Sequence, residues 1–118
     1  METTQPLLLI VEDDSSTRYI LARILGQQGW RVLAVPTVAE GIDLLDAKPA
    51  CVLVDLQLSD GRGEALLSRI REDDRPSRVV VCTAVRDKDR LESLGPFRPD
   101  AIIHKPIELK ELLEACTA

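Results

Sequence analysis

Four short apolar segments of this chain each end in polar residues that could do chemistry. These residues are Glu12, Asp13 and Asp14 after the first segment, Asp55 after the next, Thr83 after the third and Lys105 after the last. Carboxylates held close together repel one another, which disfavours ionisation unless a cation is near. An incomplete set of oxygen ligands suits Mg²⁺, which keeps several waters and is often shared with phosphate. A lysine and a threonine hydroxyl would add the positioning and charge that phosphoryl transfer requires, and a carboxylate can itself be the nucleophile.

The elements that would position these residues can be predicted from the apolar pattern. Continuous runs rich in Val, Ile and Leu are typical of strands buried on both faces of a parallel sheet. We predict five strands, at Leu7–Val11, Val32–Val35, Val52–Val54, Val79–Cys82 and Ala101–Ile103. Helical patterns fill the gaps between these strands.

Apolar residues at helical spacing predict one helix after each strand. In chain order, the apolar faces of the five predicted helices are Ile20, Leu21, Ile24 and Leu25; Ile42, Leu44 and Leu45; Leu66, Leu67 and Ile70; Leu91 and Leu94; and Leu109, Leu112, Leu113 and Cys116. Thr37 and Glu40 have the spacing of a capping box before the second helix, and the fourth face is weak. Five strand–helix repeats predict an α/β fold, with a parallel sheet covered by helices on both faces. Ligands bind such sheets at the carboxyl ends of the strands, so the polar residues above are expected to converge.

Composition narrows the class of protein. The 118 residues carry a formal net charge of −5, which argues against direct binding of nucleic acid. Three cysteines without a Cys-x-x-Cys motif argue against zinc and suit a reducing cytoplasm. Cys51 and Cys82 lie in apolar runs and are expected to be buried free thiols. No segment has the length of a membrane span or a signal peptide. We expect a flexible leader at residues 1–6 and a single domain at residues 7–118, with no room for an output domain.

At this point the sequence resembles the receiver domains of bacterial response regulators. The segments that carry the resemblance are Leu9-Ile10-Val11-Glu12-Asp13-Asp14, Val52-Leu53-Val54-Asp55-Leu56, Val81-Cys82-Thr83-Ala84 and His104-Lys105-Pro106. They stand in the order and spacing of that family, over about residues 7–117. The resemblance implies a flavodoxin-like, doubly wound (βα)5 three-layer sandwich with strand order 2-1-3-4-5.

The resemblance also implies a role for each site residue. Asp55 would be the phosphoacceptor, and Mg²⁺ would be held by Asp55, by Asp13 directly, by Glu12 through water and by the backbone carbonyl of Gln57. Lys105 would contact the phosphoryl group, Thr83 would hydrogen-bond to it as the switch residue, and the Ala84 N–H would lie nearby. The bond between Lys105 and Pro106 would be cis.

The implied function is a phosphorylation switch in two-component signalling. A sensor histidine kinase or a phosphotransfer protein would donate the phosphoryl group, and a downstream protein or an output domain would receive the signal. Such a domain catalyses only its own phosphorylation and dephosphorylation, so it is a signalling domain rather than an enzyme. A receiver-like module that binds partners without phosphate is the alternative, and weak dimerisation is left open. A phosphohydrolase of the haloacid-dehalogenase type would need an acid where Gln57 stands.

Each site residue also has an ordinary structural interpretation. Asp55 alone could simply begin a turn, Thr83 could be a strand residue and Lys105 a surface lysine. The acidic triplet could be a solvated strand end, with Asp14 as a helix cap. The lone histidine, His104, is expected to have no role in the site. Gly61 and Gly63 are expected to form a loop-to-helix turn and not a phosphate-binding loop.

Four positions depart from the family pattern. Ile102 stands where most receivers carry an aromatic residue, three positions before the lysine. Arg98 and Pro99 replace the usual Gly-Ala before the fifth strand, and Ile107 replaces the Phe that usually follows Lys-Pro. We therefore expect ordinary phosphorylation chemistry but an atypical route for the signal, and we do not assume a standard dimer.

Overall fold

The computed structural model describes residues 5–117 and shows the predicted alternation of strands and helices. Strands β1 to β5 are Leu7–Val11, Arg31–Val35, Cys51–Val54, Arg78–Thr83 and Ala101–His104. Helices α1 to α5 are Ser15–Gln27, Val38–Asp43, Glu64–Glu72, Lys88–Glu92 and Leu109–Ala115, and short 3₁₀ turns occupy Leu44–Ala47 and Gly95–Phe97. Of the predicted leader, residues 1–4 lie outside the described part, and the Pro6 carbonyl accepts a hydrogen bond from the Arg31 N–H at 2.8 Å.

The five strands form one parallel sheet in the order β2-β1-β3-β4-β5, which confirms the predicted topology. The inner strands β1 and β3 are buried throughout, as their continuous apolar sequences require. The strand β2 lies at the edge of the sheet, and Arg31 and Ala34 on it are exposed.

Alternate residues of the strands enter two separate cores. Leu9 and Val11 of β1 pack with Leu66 and Ile70 of α3 on one face of the sheet. Leu8 and Ile10 pack on the other face, in a core to which α1 contributes Leu21 and Leu25 and α5 contributes Leu112. The two layers of helices hold the sheet between them, so the carboxyl ends of the strands form a rigid edge.

Two predicted helix caps are present. The Asp14 carboxylate accepts hydrogen bonds from the Thr17 N–H at 2.9 Å and the Thr17 hydroxyl at 2.6 Å, so Asp14 caps α1. These bonds hold the pKa of Asp14 below its ordinary value. In the capping box of α2, the Thr37 hydroxyl accepts from the Glu40 N–H and donates to the Glu40 carboxylate, both at 3.1 Å.

The exposure of Ile20 and a short hairpin differ from the prediction, and the weakly indicated fourth helix is short. Ile20 is 54% exposed, because α1 meets the sheet through Leu21 and Leu25 and leaves Ile20 on its flank. The weak apolar pattern after β4 corresponds to an α4 of only five residues. A short hairpin that pairs Gln57–Leu58 with Gly61–Arg62 was not predicted, since two-residue strands leave no periodic signal.

Cys51 and Cys82 are buried free thiols, as expected, and Cys116 is buried and free as well. Burial raises the pKa of the Cys82 thiol to about 12, which makes it unreactive near neutral pH. In the part of the chain that the structure describes, no helix has both the length and the apolar character that crossing a membrane requires.

Candidate functional site

Three carboxylates meet at the carboxyl edge of the sheet. Because β1 and β3 are neighbours, with Val11 opposite Val54, the next residues Glu12 and Asp55 lie side by side. The Asp55 N–H donates to the Val11 carbonyl at 3.1 Å, which locks this placement. Carboxylate oxygens of Glu12, Asp13 and Asp55 lie within 4.8 Å of one another. Glu12 and Asp55 are buried, whereas Asp13 is exposed.

Lys105 reaches into this acidic cluster from the end of β5. Its backbone N–H donates to the Thr83 carbonyl at 2.9 Å, and its peptide bond to Pro106 is cis, the form that the resemblance implies. The ammonium group donates to Asp55 Oδ2 at 2.8 Å and also to Glu12 Oε1. A single lysine therefore balances two buried carboxylates.

Burial and pairing act in opposite directions on these groups. Burial raises the pKa of Glu12 above its ordinary value, although hydrogen bonds from Lys105 and from the Asp14 N–H oppose it. Burial would lower the pKa of Lys105, but its hydrogen bonds to Asp55 and Glu12 outweigh that effect and the pKa is raised. Lys105 therefore keeps its charge over the whole physiological pH range.

The loop after β3 is packed tightly against Asp55. The Gln57 N–H donates to Asp55 Oδ1 at 3.1 Å, and the Gly63 N–H donates to the Leu56 carbonyl at 3.0 Å. A Cβ atom on Gly63 would lie 2.2 Å from the Asp55 carbonyl oxygen, so only glycine allows α3 to begin this close to Asp55. The turn at Gly61 and Gly63 is thus structural, as the sequence indicates.

Thr83 lies at the end of β4 and is fully buried. Its hydroxyl oxygen accepts a hydrogen bond from the Val85 N–H at 3.1 Å. Within residues 5–117, no hydrogen bond joins this hydroxyl to Asp55 or Lys105. Ala84 follows at the exposed strand end, and Ile102 on the neighbouring β5 is 38% exposed.

The structure adds residues to the site that sequence patterns did not indicate. Arg90 of α4 forms a two-pronged ion pair with Glu64 of α3, at 2.7 and 2.9 Å, and donates to the Leu56 carbonyl at 2.7 Å. Asp60, in the same loop, accepts from the N–H groups of Val38 and Ala39, which ties the loop to α2. These partners are separated by more than 20 residues along the chain, so no local sequence motif could have predicted their contacts.

The donor set of the cluster suits a hard divalent cation. Three carboxylate oxygens at this spacing, two from buried side chains, form a site with excess negative charge. Mg²⁺ and Ca²⁺ both prefer such oxygen ligands, and Mg²⁺ binds through a few carboxylates while it keeps waters. The residues present therefore fit the predicted metal.

Comparison with known proteins assigns the family. The family model described as the response regulator receiver domain matches residues 8–117. The positive alginate biosynthesis regulatory protein of Pseudomonas aeruginosa is 36% identical over 115 residues, which cover 92% of this chain and 44% of the relative. The chain thus spans less than half the length of that relative.

Solved structures agree with this assignment. A CheY-like response regulator receiver domain protein from Methanospirillum hungatei has a TM-score of 0.88 at 25% identity, and the match covers 94% of this chain and 90% of that one. A response regulator from Burkholderia pseudomallei, solved with a phosphorylated aspartic acid, a calcium ion and citrate, has a TM-score of 0.86 at 23% identity, over 96% of this chain and 67% of that one. The latter likeness concerns the fold. The chain belongs to the response regulator receiver domain family, and it is a receiver domain of two-component signalling.

Proposed function

We propose that this receiver domain accepts a phosphoryl group on Asp55 from a histidine kinase or a phosphotransfer protein, and signals to a partner protein or an output domain. The observation that carries the proposal is the convergence of Glu12, Asp13, Asp55 and Lys105 at one edge of the sheet. An aspartate at a simple turn would have no reason to share a half-buried lysine with a second buried acid.

In the proposed reaction, a carboxylate oxygen of Asp55 attacks the phosphorus of a phosphohistidine or of a small acyl phosphate. A bond forms between the Asp55 oxygen and phosphorus, while the bond from phosphorus to the donor breaks and the donor keeps the electron pair. The Gln57 N–H holds one oxygen of the acceptor in place at 3.1 Å. The Lys105 ammonium, 2.8 Å from the other oxygen, would offset the charge of the phosphoryl oxygens.

Mg²⁺ belongs to the same proposal. Glu12, Asp13, Asp55 and the carbonyl of Gln57 would hold it, with Glu12 acting through water. When bound, Mg²⁺ supplies positive charge that reduces the repulsion between the acceptor carboxylate and the phosphoryl oxygens. Before metal binds, Lys105 keeps Glu12 and Asp55 together by pairing with both of them.

Thr83 and Ala84 would respond to the added charge. Thr83 already accepts from the Val85 N–H, which leaves its hydroxyl proton to donate to a phosphoryl oxygen, and the Ala84 N–H would donate beside it. We regard the domain as a signalling domain that catalyses only its own phosphorylation and dephosphorylation. Its three free thiols fit a reducing compartment such as the cytoplasm.

The test is the change in intact mass after incubation with acetyl phosphate and Mg²⁺. We expect the mass of one phosphoryl group on the wild-type protein and on the control Asp43→Asn, an exposed aspartate of α2, and no adduct on Asp55→Asn. An adduct that survives in Asp55→Asn would move the acceptor elsewhere. If the wild type reacts with neither acetyl phosphate nor beryllofluoride, a module that signals without phosphate becomes the better hypothesis.

A further inference from the structure

Arg90 connects three parts of the domain that surround the acceptor. It belongs to α4, its Nε and Nη2 atoms bind both carboxylate oxygens of Glu64 at the start of α3, and Nη2 also donates to the Leu56 carbonyl at 2.7 Å. The side chains of Arg90 and Glu64 are only 17% and 16% exposed. Water therefore competes weakly for these hydrogen bonds, and a two-pronged arginine–carboxylate pair holds a defined geometry.

The Leu56 carbonyl belongs to the peptide group that also carries the Gln57 N–H. This peptide is held from both sides: its carbonyl accepts from Arg90 and from the Gly63 N–H, and its N–H donates to Asp55 Oδ1 at 3.1 Å. A charged donor on the carbonyl polarises the peptide and strengthens the bond that its N–H makes. Arg90 thus reaches the acceptor carboxylate through one rigid peptide plane.

Glu64 keeps Arg90 in this position. Burial alone would raise the pKa of Glu64, but the hydrogen bonds and the positive charge of Arg90, together with a backbone hydrogen bond and the charge of Arg62, bring the pKa below its ordinary value. The carboxylate is therefore charged at neutral pH, and it orients the guanidinium group toward the Leu56 carbonyl. The helix α4 has only five residues, none of them buried, and its Leu91 packs against the core while only partly buried. The contacts of Arg90 with Glu64 and the Leu56 carbonyl, called the clamp below, therefore add an attachment of α4 close to Asp55.

We propose that Arg90 is a positioning residue for the acceptor site: with Glu64, it fixes the Leu56–Gln57 peptide that orients the Asp55 carboxylate, and it joins that peptide to α4. The same peptide leads into Gln57, whose carbonyl is a proposed metal ligand. A change at Asp55 would therefore be transmitted to α4 through Arg90. This route does not need an aromatic residue at Ile102. The inference rests on the proposed phosphoacceptor role of Asp55.

Four substitutions test the clamp. Arg90→Gln removes the charged donor, and Glu64→Gln keeps the shape of its partner but removes the charge. Arg90→Lys keeps the charge, but one ammonium group cannot serve both Glu64 oxygens and the Leu56 carbonyl in the same way. Lys88→Gln is the matched control, because it removes the same charge from the same helix at a side chain that is 86% exposed.

Two measurements on folded protein without phosphate separate positioning from simple stabilisation. The first is the affinity for Mg²⁺, and the second is amide hydrogen exchange at Gln57 and across residues 88–92. Changing a residue that supports a ligand typically costs about tenfold or more in metal affinity, and we expect this loss for Arg90→Gln. We also expect faster exchange at Gln57, a smaller loss in Arg90→Lys, and wild-type behaviour in Lys88→Gln. In the double variant Arg90→Gln/Glu64→Gln, the loss should equal that of Arg90→Gln alone, since both residues act through one contact.

Beryllofluoride with Mg²⁺ then tests the connection to α4. In the wild type we expect a change in exchange across residues 88–92 when the adduct forms, and no such change in Arg90→Gln. Normal Mg²⁺ affinity and normal exchange at Gln57 in Arg90→Gln would overturn the positioning role, whatever its melting temperature. Absence of any adduct in the wild type would instead count against the phosphoacceptor role of Asp55, so the two failures are distinguishable.

Discussion

Lys105 determines the charge balance of the acceptor site before any ligand binds. Its side chain is 23% exposed, while those of Glu12 and Asp55 are 4% and 7% exposed. Two carboxylates this deeply buried lose hydration and repel each other, and a cation between them is needed to offset that cost. Lys105 therefore stabilises the two carboxylates in the metal-free protein, in addition to its proposed role of contacting the phosphoryl group.

The substitution Lys105→Met should reveal how much Lys105 stabilises the metal-free protein. Without divalent metal, we expect the free energy of unfolding to fall by about 1–3 kcal/mol, because the buried carboxylates lose their charged donor. Mg²⁺ should stabilise Lys105→Met more than the wild type, since the metal would supply the missing charge. Urea unfolding in EDTA and in Mg²⁺ measures both effects, with Lys110→Gln, an exposed lysine of α5, as the control. Equal stabilisation of wild type and variant by Mg²⁺ would contradict this account.

At the scale of elements, the start of α3 determines the shape of the loop between Asp55 and Gly63. Gly63 allows the helix to begin against the backbone of Asp55, and Glu64 directly after it holds Arg90 of α4. The acceptor, the loop and two helices are therefore connected within a few residues. This arrangement explains how a site at a sheet edge can influence a short helix that has little core of its own.

The substitution Gly63→Ala should disrupt that packing. The added Cβ would meet the Asp55 carbonyl oxygen at 2.2 Å, and this neighbour is backbone that cannot rotate away. We expect a loss of about 1–3 kcal/mol or more in unfolding free energy, together with weaker Mg²⁺ binding. Gly95→Ala is the control, because nothing lies within 4 Å of its added Cβ. Similar melting temperatures for the two variants in thermal unfolding would show that α3 can shift without cost.

At the scale of the whole molecule, metal binding and folding are expected to be linked. The cluster is assembled from β1 and β3, which are far apart in the chain and adjacent only in the folded sheet. An unfolded chain would not hold these carboxylates together, so a metal that binds them must stabilise the native state. The direction of this effect follows from linkage alone.

Mg²⁺ should therefore raise the melting temperature of the wild-type protein. At about 100 times the dissociation constant, one site adds about 2.7 kcal/mol to the free energy of unfolding. Asp13→Asn should lose most of this gain while its metal-free stability stays close to that of the wild type, because Asp13 is exposed. Thermal scans with Mg²⁺, and with NaCl at equal ionic strength, separate specific binding from screening. A full gain in Asp13→Asn would exclude Asp13 as a ligand.

Local patterns in the sequence were sufficient to predict the strands and the place where the polar residues meet, whereas the order of the strands came from the resemblance to receiver domains. Continuous apolar runs such as Leu7–Val11 predict buried parallel strands, and the caps at Asp14 and Thr37 depend on residues within one helical turn. Because all strands of a parallel sheet point the same way, their ends must share one edge. That argument alone placed Glu12, Asp13, Asp55 and Lys105 in one site.

Only the tertiary structure decided which of these groups touch and what surrounds them. How whole elements pack decides that Lys105 pairs with two carboxylates and that Arg90, held by Glu64, donates to the Leu56 carbonyl. It also decides that Ile20 is exposed and that α4 is short. Periodicity records which face of an element is apolar, but contacts between residues far apart in the chain depend on distances of a few ångströms that no local pattern contains. For Asp55, the sequence determined its place at the sheet edge, and the fold determined the partners that orient its carboxylate.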